Sequence, residues 1–140
     1  MGNRILVIDG QGGQLGSQII KALISRLPGV QITAVGTNAV ATAAMMKAGA
    51  SKGATGENPV IVGCRKADII IGPIGIVIAD SLLGEITPAM AVAIGQADAA
   101  RILIPMNKCE NMVAGVSNLS TTELIQDAVS KVAQFINNHC

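Results

Sequence analysis

A glycine-rich stretch near the amino terminus has the residue types and spacing best suited to binding chemistry. An apolar run at residues 5–8 precedes it, and a segment with helical spacing follows it. Glycine lets the backbone turn with positive φ and approach a ligand closely, and the start of a helix offers unpaired N–H groups to an anion. A strand, a glycine turn and a helix in this order predict a phosphate-binding loop. The candidate binding residues are Asp9, Gly10, Gln11, Gly12, Gly13, Gln14, Leu15 and Gly16.

The glycine spacing is similar to the dinucleotide-binding fingerprint, with one departure. Gly10 and Gly12 are correctly spaced, whereas Gly16 comes one position late, which gives the G-x-G-x-x-x-G variant of some NADP-type loops. Such a match is weak evidence by itself, because the same glycines can form a tight strand-to-helix turn with close packing and no ligand. Both interpretations stay open at this point.

The residues after the second predicted strand leave the ligand undefined. An NAD site has an Asp or Glu there to hold the ribose hydroxyls, and an NADP site has a nearby Arg. This chain has Gly36, Thr37 and Asn38 instead, of which Thr37 and Asn38 can hydrogen-bond a ribose or a base. Asp9 would repel a phosphate unless Mg²⁺ intervened. A Walker A loop is excluded, because no Gly-Lys-Ser/Thr follows the glycines.

Hydrophobic periodicity predicts the elements that position these residues. We expect strands at residues 4–8, 30–35, 60–62, 68–71, 101–105 and 112–116, and a loop at 51–59. Helices are expected at about 15–27, 39–48, 76–83 and 88–97. A last helix follows the capping box of Ser120 and Glu123.

Strands that alternate with helices predict an α/β fold, a Rossmann-like three-layer sandwich with a mostly parallel sheet and helices on both faces. We expect one domain over residues 1–140. Ligands of such sheets bind at the carboxyl ends of the strands, where four small or polar loops of this chain meet. Those loops add further candidate residues to the site: Gly72, Pro73, Ile74, Gly75 and Asn107.

Composition restricts the partners. Hydrophobic residues make up 50% of the chain, the net charge is +1, and Phe135 is the single aromatic residue. No basic cluster or stacking platform for nucleic acid is present. No apolar run approaches the roughly 20 residues that span a bilayer. Because large apolar patches are rarely left exposed, we expect a homo-oligomer that buries the Ala- and Met-rich helices at 39–48 and 88–97.

The cysteines and the amino terminus predict a cytoplasmic protein. The three cysteines, Cys64, Cys109 and Cys140, are an odd number without a C-x-x-C pair, which favours reduced thiols. The first apolar run is too short for a signal peptide. Cys64 is interpreted as a packing or loop residue. Cys109 is interpreted as a half-buried loop residue, with a thiol activated by the neighbouring Lys108 as the alternative.

Few side chains are suited to catalysis or to metal binding. The one histidine, His139, lies at the end of the chain, and no Ser-His-Asp set or paired-carboxylate signature is present. No metal site is predicted. Asp80 and Glu85 are interpreted as charges on a helix surface.

The order of the loops is similar to that of the tubulin-like GTPases. A glycine loop, a polar turn at Thr37 and Asn38, an Asn-Pro loop at residues 56–59 and a second glycine loop at 72–75 follow one another. The second domain of that family and its catalytic acidic loop are absent from these 140 residues. This similarity therefore supports only a minority interpretation.

Seven segments together resemble a small prokaryotic family, domain of unknown function 3842. They are residues 8–13, 36–39, 47–50, 53–58, 71–76, 84–90 and 104–109. The resemblance covers nearly the whole chain and implies a stand-alone, single-domain protein. It implies no activity, substrate or catalytic residue.

Three hypotheses remain open. The first is a protein that binds a nucleotide, a dinucleotide or another small phosphate-bearing ligand at the glycine loop. The second is an enzyme, either an NADP-dependent reductase or a nucleotide hydrolase in which Asp9 or Glu57 holds Mg²⁺. The third is a non-catalytic oligomeric subunit or scaffold whose glycine loop is purely structural.

Overall fold

In the computed structural model, which describes residues 3–106, 111–116 and 118–138, five strands form one parallel sheet. The strands are β1 (Arg4–Asp9), β2 (Gln31–Gly36), β3 (Lys52–Thr55), β4 (Ile69–Pro73) and β5 (Ala100–Ile104). The helices are α1 (Gln14–Arg26), α2 (Ala39–Lys47), α3 (Glu57–Lys66), α4 (Pro88–Gln96) and α5 (Thr121–Asn138). A short 3-10 helix covers Ile74–Val77.

The strand order is β3-β2-β1-β4-β5, and every pairing is parallel. The chain moves outward from β1 to β3, then crosses back to place β4 on the other side of β1. The order therefore reverses between β1 and β4, at the position where Rossmann-type sheets bind ligands. The predicted fold class is confirmed.

Two apolar clusters fill the space on either side of the sheet. Ile5 and Val7 of β1 face a cluster that contains residues of α1, α2 and α5, whereas Leu6 and Ile8 face residues of α3 and α4. Because successive strand residues point to opposite faces, a central strand must be apolar throughout to be buried on both. This explains the unbroken hydrophobic run before the glycine loop.

Polar side chains fix the starts of three helices. The Ser120 hydroxyl accepts the Glu123 N–H at 3.1 Å, and the Glu123 carboxylate accepts the Ser120 N–H at 3.2 Å, so the predicted capping box of α5 is confirmed. Thr87 accepts the Met90 N–H at 3.2 Å and begins α4 just before Pro88. Asn38 begins α2 in the same way.

Residues 51–62 differ from the predicted loop and short strand. Residues 52–55 form the polar edge strand β3, and α3 begins at Glu57. Pro59 is tolerated there because the first turn of a helix uses no intrahelical N–H bonds. Val60 and Cys64, four residues apart, face the core, and burial raises the pKa of the Cys64 thiol to about 11. The apolar run at 60–62 is therefore a helix turn.

Two further predicted elements are wrong. A helix at residues 76–83 does not form, because the chain leaves the 3-10 helix after Val77 and turns through residues 78–87 with positive φ at several positions. Residues 112–116 contain a turn with Gly115 at φ 84° and no strand. Asn107, Cys109, His139 and Cys140 lie outside the described residues.

Among the described helices, none combines the length and apolar character that crossing a membrane requires.

Candidate functional site

The glycine loop connects β1 to α1 through a tight turn. Gln11 and Gly13 have φ values of 51° and 74°, and the Gly13 N–H donates to the Gly10 carbonyl at 2.9 Å. A side chain at Gly12 would meet no atom within 4 Å. Within the described ranges, the backbone N–H groups of Gly12, Gln14 and Leu15 have no hydrogen-bond partner. The start of α1 therefore retains donors for a ligand.

Asp9 holds this loop together from inside. Its side chain is buried at 5% exposure, and its two oxygens accept the N–H groups of Gly10 at 2.8 Å and Gly16 at 2.7 Å. Burial raises the pKa of the Asp9 carboxyl above its ordinary value, although the two N–H bonds act against that rise and the nearby charge of Glu85 adds to it. The Asp9 carboxylate therefore links β1 to the first turn of α1.

Gly13 and Gly16 permit α1 and its loop to approach α2. A Cβ on Gly13 would lie 2.7 Å from the Cα and the carbonyl oxygen of Ala41, and a Cβ on Gly16 would lie 2.5 Å from the Met45 sulfur. Because real side chains do not make contacts this short, both positions require glycine for packing. This is the role that a purely structural loop would give them.

The loop after β2 is bonded to the loop after β1. The Thr37 N–H donates to the Asp9 carbonyl at 3.0 Å. The Asn38 side chain accepts the Ala41 N–H at 2.9 Å, which caps α2, and its NH₂ group donates to the Gln11 carbonyl at 2.9 Å. The two loops therefore form one hydrogen-bonded edge at the carboxyl ends of β1 and β2.

Glu85 reaches across from residues 78–87 and places its carboxylate on this edge. Its Oε1 accepts the Gln11 N–H at 2.7 Å and the Thr37 hydroxyl at 2.6 Å, and its Oε2 lies 3.3 Å from the Asn38 NH₂ group. Burial alone would raise the pKa of Glu85, but the bonds from Thr37, Gln11 and Asn38 together hold it below its ordinary value. Three donors from two loops thus bind one carboxylate.

Sequence reasoning assigned Glu85 to a helix surface, and that assignment is wrong. Its partners lie 74 and 48 residues away in the chain, so no local pattern could pair them. One signal was available in the sequence. Gly75 and Gly84 bound the predicted helix closely, and a helix interrupted at both ends by glycine competes poorly with turns.

The end of β4 forms the side of the candidate site that lies opposite the glycine loop. Gly72 lets β4 approach β1, since a Cβ there would collide with the Ile8 carbonyl, and Pro73 is buried beside it. Ile74 and Gly75 are half-buried in the 3-10 helix, and the Gly75 carbonyl accepts the Ser81 hydroxyl. These residues therefore anchor the segment that carries Glu85.

Glu57, the other carboxylate weighed as a magnesium ligand, lies at the start of α3. Its Oε1 accepts the Thr87 hydroxyl at 2.5 Å. Within the part of the chain that the structure describes, no three His, Cys, Asp or Glu side chains form a group that could hold a metal ion.

The sheet order, the glycine loop and the donor edge at the strand reversal define a Rossmann-like α/β protein. The chain belongs to the family described as "Domain of unknown function (DUF3842)", whose model matches residues 4–137. The resemblance found in the sequence is therefore confirmed. A comparison with curated proteins finds no match.

Two solved structures resemble this chain at low sequence identity. A dodecameric FMN-dependent UbiX-like decarboxylase from Escherichia coli O157:H7 is 18% identical with a TM-score of 0.45, and the match covers 93% of this chain and 75% of that one. AibC is 15% identical with a TM-score of 0.48, and the match covers 96% of this chain but 42% of the other.

Proposed function

We propose that the protein binds a phosphate-bearing small molecule, a nucleotide or dinucleotide above all, at the loops that follow β1 and β2. The observation that carries this proposal is the convergence of the Gln11 N–H, the Thr37 hydroxyl and the Asn38 amide on one carboxylate. Donors that bind a carboxylate of the same chain can also bind the anionic group of a ligand.

The remaining donors suit a phosphate. The N–H groups of Gly12, Gln14 and Leu15 lie at the positive end of the α1 dipole, where phosphate oxygens are favoured. Thr37 and Asn38 would then contact the phosphate or the sugar next to it. Asp9 opposes this binding less than its charge suggests, because both its oxygens already accept N–H bonds within the loop.

Thermal-shift measurements with ATP, GTP, NAD, NADP, FMN and coenzyme A test the proposal. A ligand at a hundred times its Kd stabilises the folded state by about 2.7 kcal/mol. Gly12→Val should abolish the shift, because the new side chain enters open space beside the free N–H groups. Gly95→Val is the matched control: it also enters open space, but near the end of α4. If none of the six compounds shifts the melting temperature, the nucleotide proposal fails.

The enzymatic alternatives are tested by turnover. NADPH oxidation or phosphate release that Gly12→Val abolishes would support a reductase or a hydrolase. Equal rates in the wild type and Gly12→Val would identify a contaminant.

We also propose a homo-oligomer that buries the outer faces of α2 and α4. Val40 and Met46 of α2 are 67% and 39% exposed, and Val92 of α4 is 53% exposed. Apolar side chains of this size favour a partner surface over water. Size-exclusion chromatography with light scattering tests this directly, since a mass of 14.2 kDa across micromolar concentrations would refute it.

A further inference from the structure

We infer that Glu85 is an internal ligand of the glycine-loop edge, and that a phosphate-bearing molecule binds by displacing Glu85 and the exposed middle of residues 78–87, a stretch here called the Glu85 segment. This inference rests on the proposed function and adds how the site is controlled. Four observations carry it: occupancy of the site, charge, backbone conformation and the way the segment is anchored.

The Glu85 segment fills the space beside the first glycine of the loop. A Cβ on Gly10 would lie 2.6 Å from Glu85 Oε1, 2.7 Å from the Thr37 hydroxyl and 2.9 Å from Leu82 Cδ1. A phosphate that approached Gly10 or took the Gln11 N–H would have to occupy the same space. The carboxylate and a ligand phosphate therefore exclude each other.

Charge makes the two anions direct competitors. The donors that hold Glu85 are neutral: a backbone N–H, a hydroxyl and an amide. No Arg, Lys or His side chain bonds to Glu85 within the described residues. A second anion on this edge would be repelled by the Glu85 carboxylate.

The backbone of the Glu85 segment is held in a conformation that L-residues disfavour. Asp80, Leu82 and Leu83 have φ values of 66°, 56° and 55°, and Gly84 follows at 86°. Runs of left-handed residues other than glycine are uncommon, and strained backbone of this kind is found at ligand clamps and switch regions. Opening of the segment would release this strain.

The Glu85 segment lies between buried isoleucines and has an exposed tip. Ile76 and Ile86 are fully buried on the α3–α4 side of the sheet, whereas Leu83 is 96% exposed. A Cβ on Gly84 would meet no atom within 4 Å. The bonds of Glu85 and the contact of Leu82 near Gly10 are therefore the contacts that close the segment over the loop.

The displacement of Glu85 by a ligand also defines the chemistry of that ligand. A molecule that replaces Glu85 must bring its own anionic oxygens for the Gln11 N–H, the Thr37 hydroxyl and the Asn38 amide. A phosphate monoester supplies them, and the corresponding uncharged nucleoside does not. We therefore expect adenosine to leave the Glu85 segment closed under conditions in which AMP opens it.

Titration with inorganic phosphate, with potassium chloride at matched ionic strength as the blank, tests the inference. Glu85→Gln and Glu85→Ala should bind phosphate about tenfold more tightly than the wild type, since a charge-assisted competitor has been removed. Asp80→Asn is the matched control. It removes one negative charge from the same segment, it is tolerated at positive φ, and the Asp80 side chain makes no bond to the loop within the described residues.

Hydrogen exchange of the wild-type protein gives a second readout that needs no variant. The Gly84, Glu85 and Ile86 N–H groups donate within the Glu85 segment, to Asp80, Leu82 and Ser81. Phosphate should make them exchange faster while the N–H of Gly12 becomes protected. Slower exchange across the Glu85 segment would show that it closes on the ligand, and would overturn the inference.

The outcomes separate the two proposals. Phosphate binding by the wild type that is unchanged or weakened in Glu85→Ala overturns the displacement while leaving the ligand site intact. Tighter binding in Glu85→Ala but not in Asp80→Asn supports both. An absence of binding by the wild type and both Glu85 variants, to phosphate and to AMP, overturns both proposals together.

Discussion

Replacement of two neighbouring glycines by alanine should have very different effects on stability. Gly13 has φ 74° and ψ 15°, which is the left-handed region, and a Cβ there would lie 2.7 Å from backbone atoms of Ala41. Gly12 has no φ in the left-handed range and no atom within 4 Å of a Cβ. A comparison of the two alanine variants therefore separates the backbone and packing requirement for glycine at position 13 from any general effect of a substitution in the loop.

The expected cost of Gly13→Ala follows from two terms. A left-handed alanine costs about 1 kcal/mol. Forcing a methyl group against the buried backbone of Ala41 adds about 1–3 kcal/mol. The free energy of unfolding should fall by about 2–4 kcal/mol, and the melting temperature by roughly 10 °C for a chain of this size. Gly12→Ala should stay within about 0.5 kcal/mol of the wild type.

Urea denaturation followed by far-ultraviolet circular dichroism measures both variants. With a slope of about 2 kcal/mol per molar urea, the Gly13→Ala midpoint should fall by about 1–2 M. Equal midpoints for Gly12→Ala and Gly13→Ala would refute the reasoning, because they would mean that Gly13 does not contact α2 in a left-handed turn. A large loss in Gly12→Ala alone would reverse the assignment of the two glycines.

Two further variants test the strained segment and the buried carboxylate. Leu83→Asn should raise the free energy of unfolding by about 0.5–1 kcal/mol, because asparagine tolerates positive φ and Leu83 is 96% exposed. A lower urea midpoint for this variant would contradict the left-handed conformation of Leu83. Burial raises the pKa of Asp9, so the folded chain binds the carboxyl proton more tightly than the unfolded chain, whose Asp pKa is about 3.9. Protonation of Asp9 therefore stabilises the folded state, and this contribution declines as pH rises through the folded pKa. Wild type should therefore gain stability relative to Asp9→Asn on acidification from neutral pH towards about pH 4, and parallel pH profiles would rule this out.

The elements that sequence reasoning predicted correctly are those in which one local signal is sufficient. β1 is buried on both faces and apolar throughout, and α5 combines a capping box with a buried stripe that includes Val129 and Val132. Each signal lies within a few residues of the element that it specifies. The order of such elements along the chain then defines the α/β class.

The α3 region misled the prediction because two local signals disagreed. Residues 60–62 are consecutive apolar residues, which favours a short buried strand, while Asn58 and Pro59 favour a loop. The buried residues of α3 are Val60 and Cys64, about one helical turn apart, whereas Val62, which a strand would bury beside Val60, is only half-buried. In contrast, β3 has almost no apolar signal, because its four residues form a mostly exposed edge.

The conformation of the Glu85 segment was missed for a different reason. Leu82 and Leu83 are ordinary helix formers, and nothing in their identity indicates positive φ. Their conformation is fixed from outside, by the burial of Ile86 and by donors on two loops far away in the chain. Tertiary contacts override propensity here, as they often do where function requires a strained conformation.

The two interpretations of the glycine loop apply to different glycines. Gly13 and Gly16 are required by the approach of α1 and its loop to α2, so their presence is explained without any ligand. Packing against α2 does not explain Gly10 or Gly12: the space at Gly10 is filled by Glu85, Thr37 and Leu82, and the space at Gly12 is open. A loop needed only for a turn could carry a side chain at Gly12 without cost. The proposal of a ligand site therefore rests on Gly12 and on the carboxylate that the edge already holds.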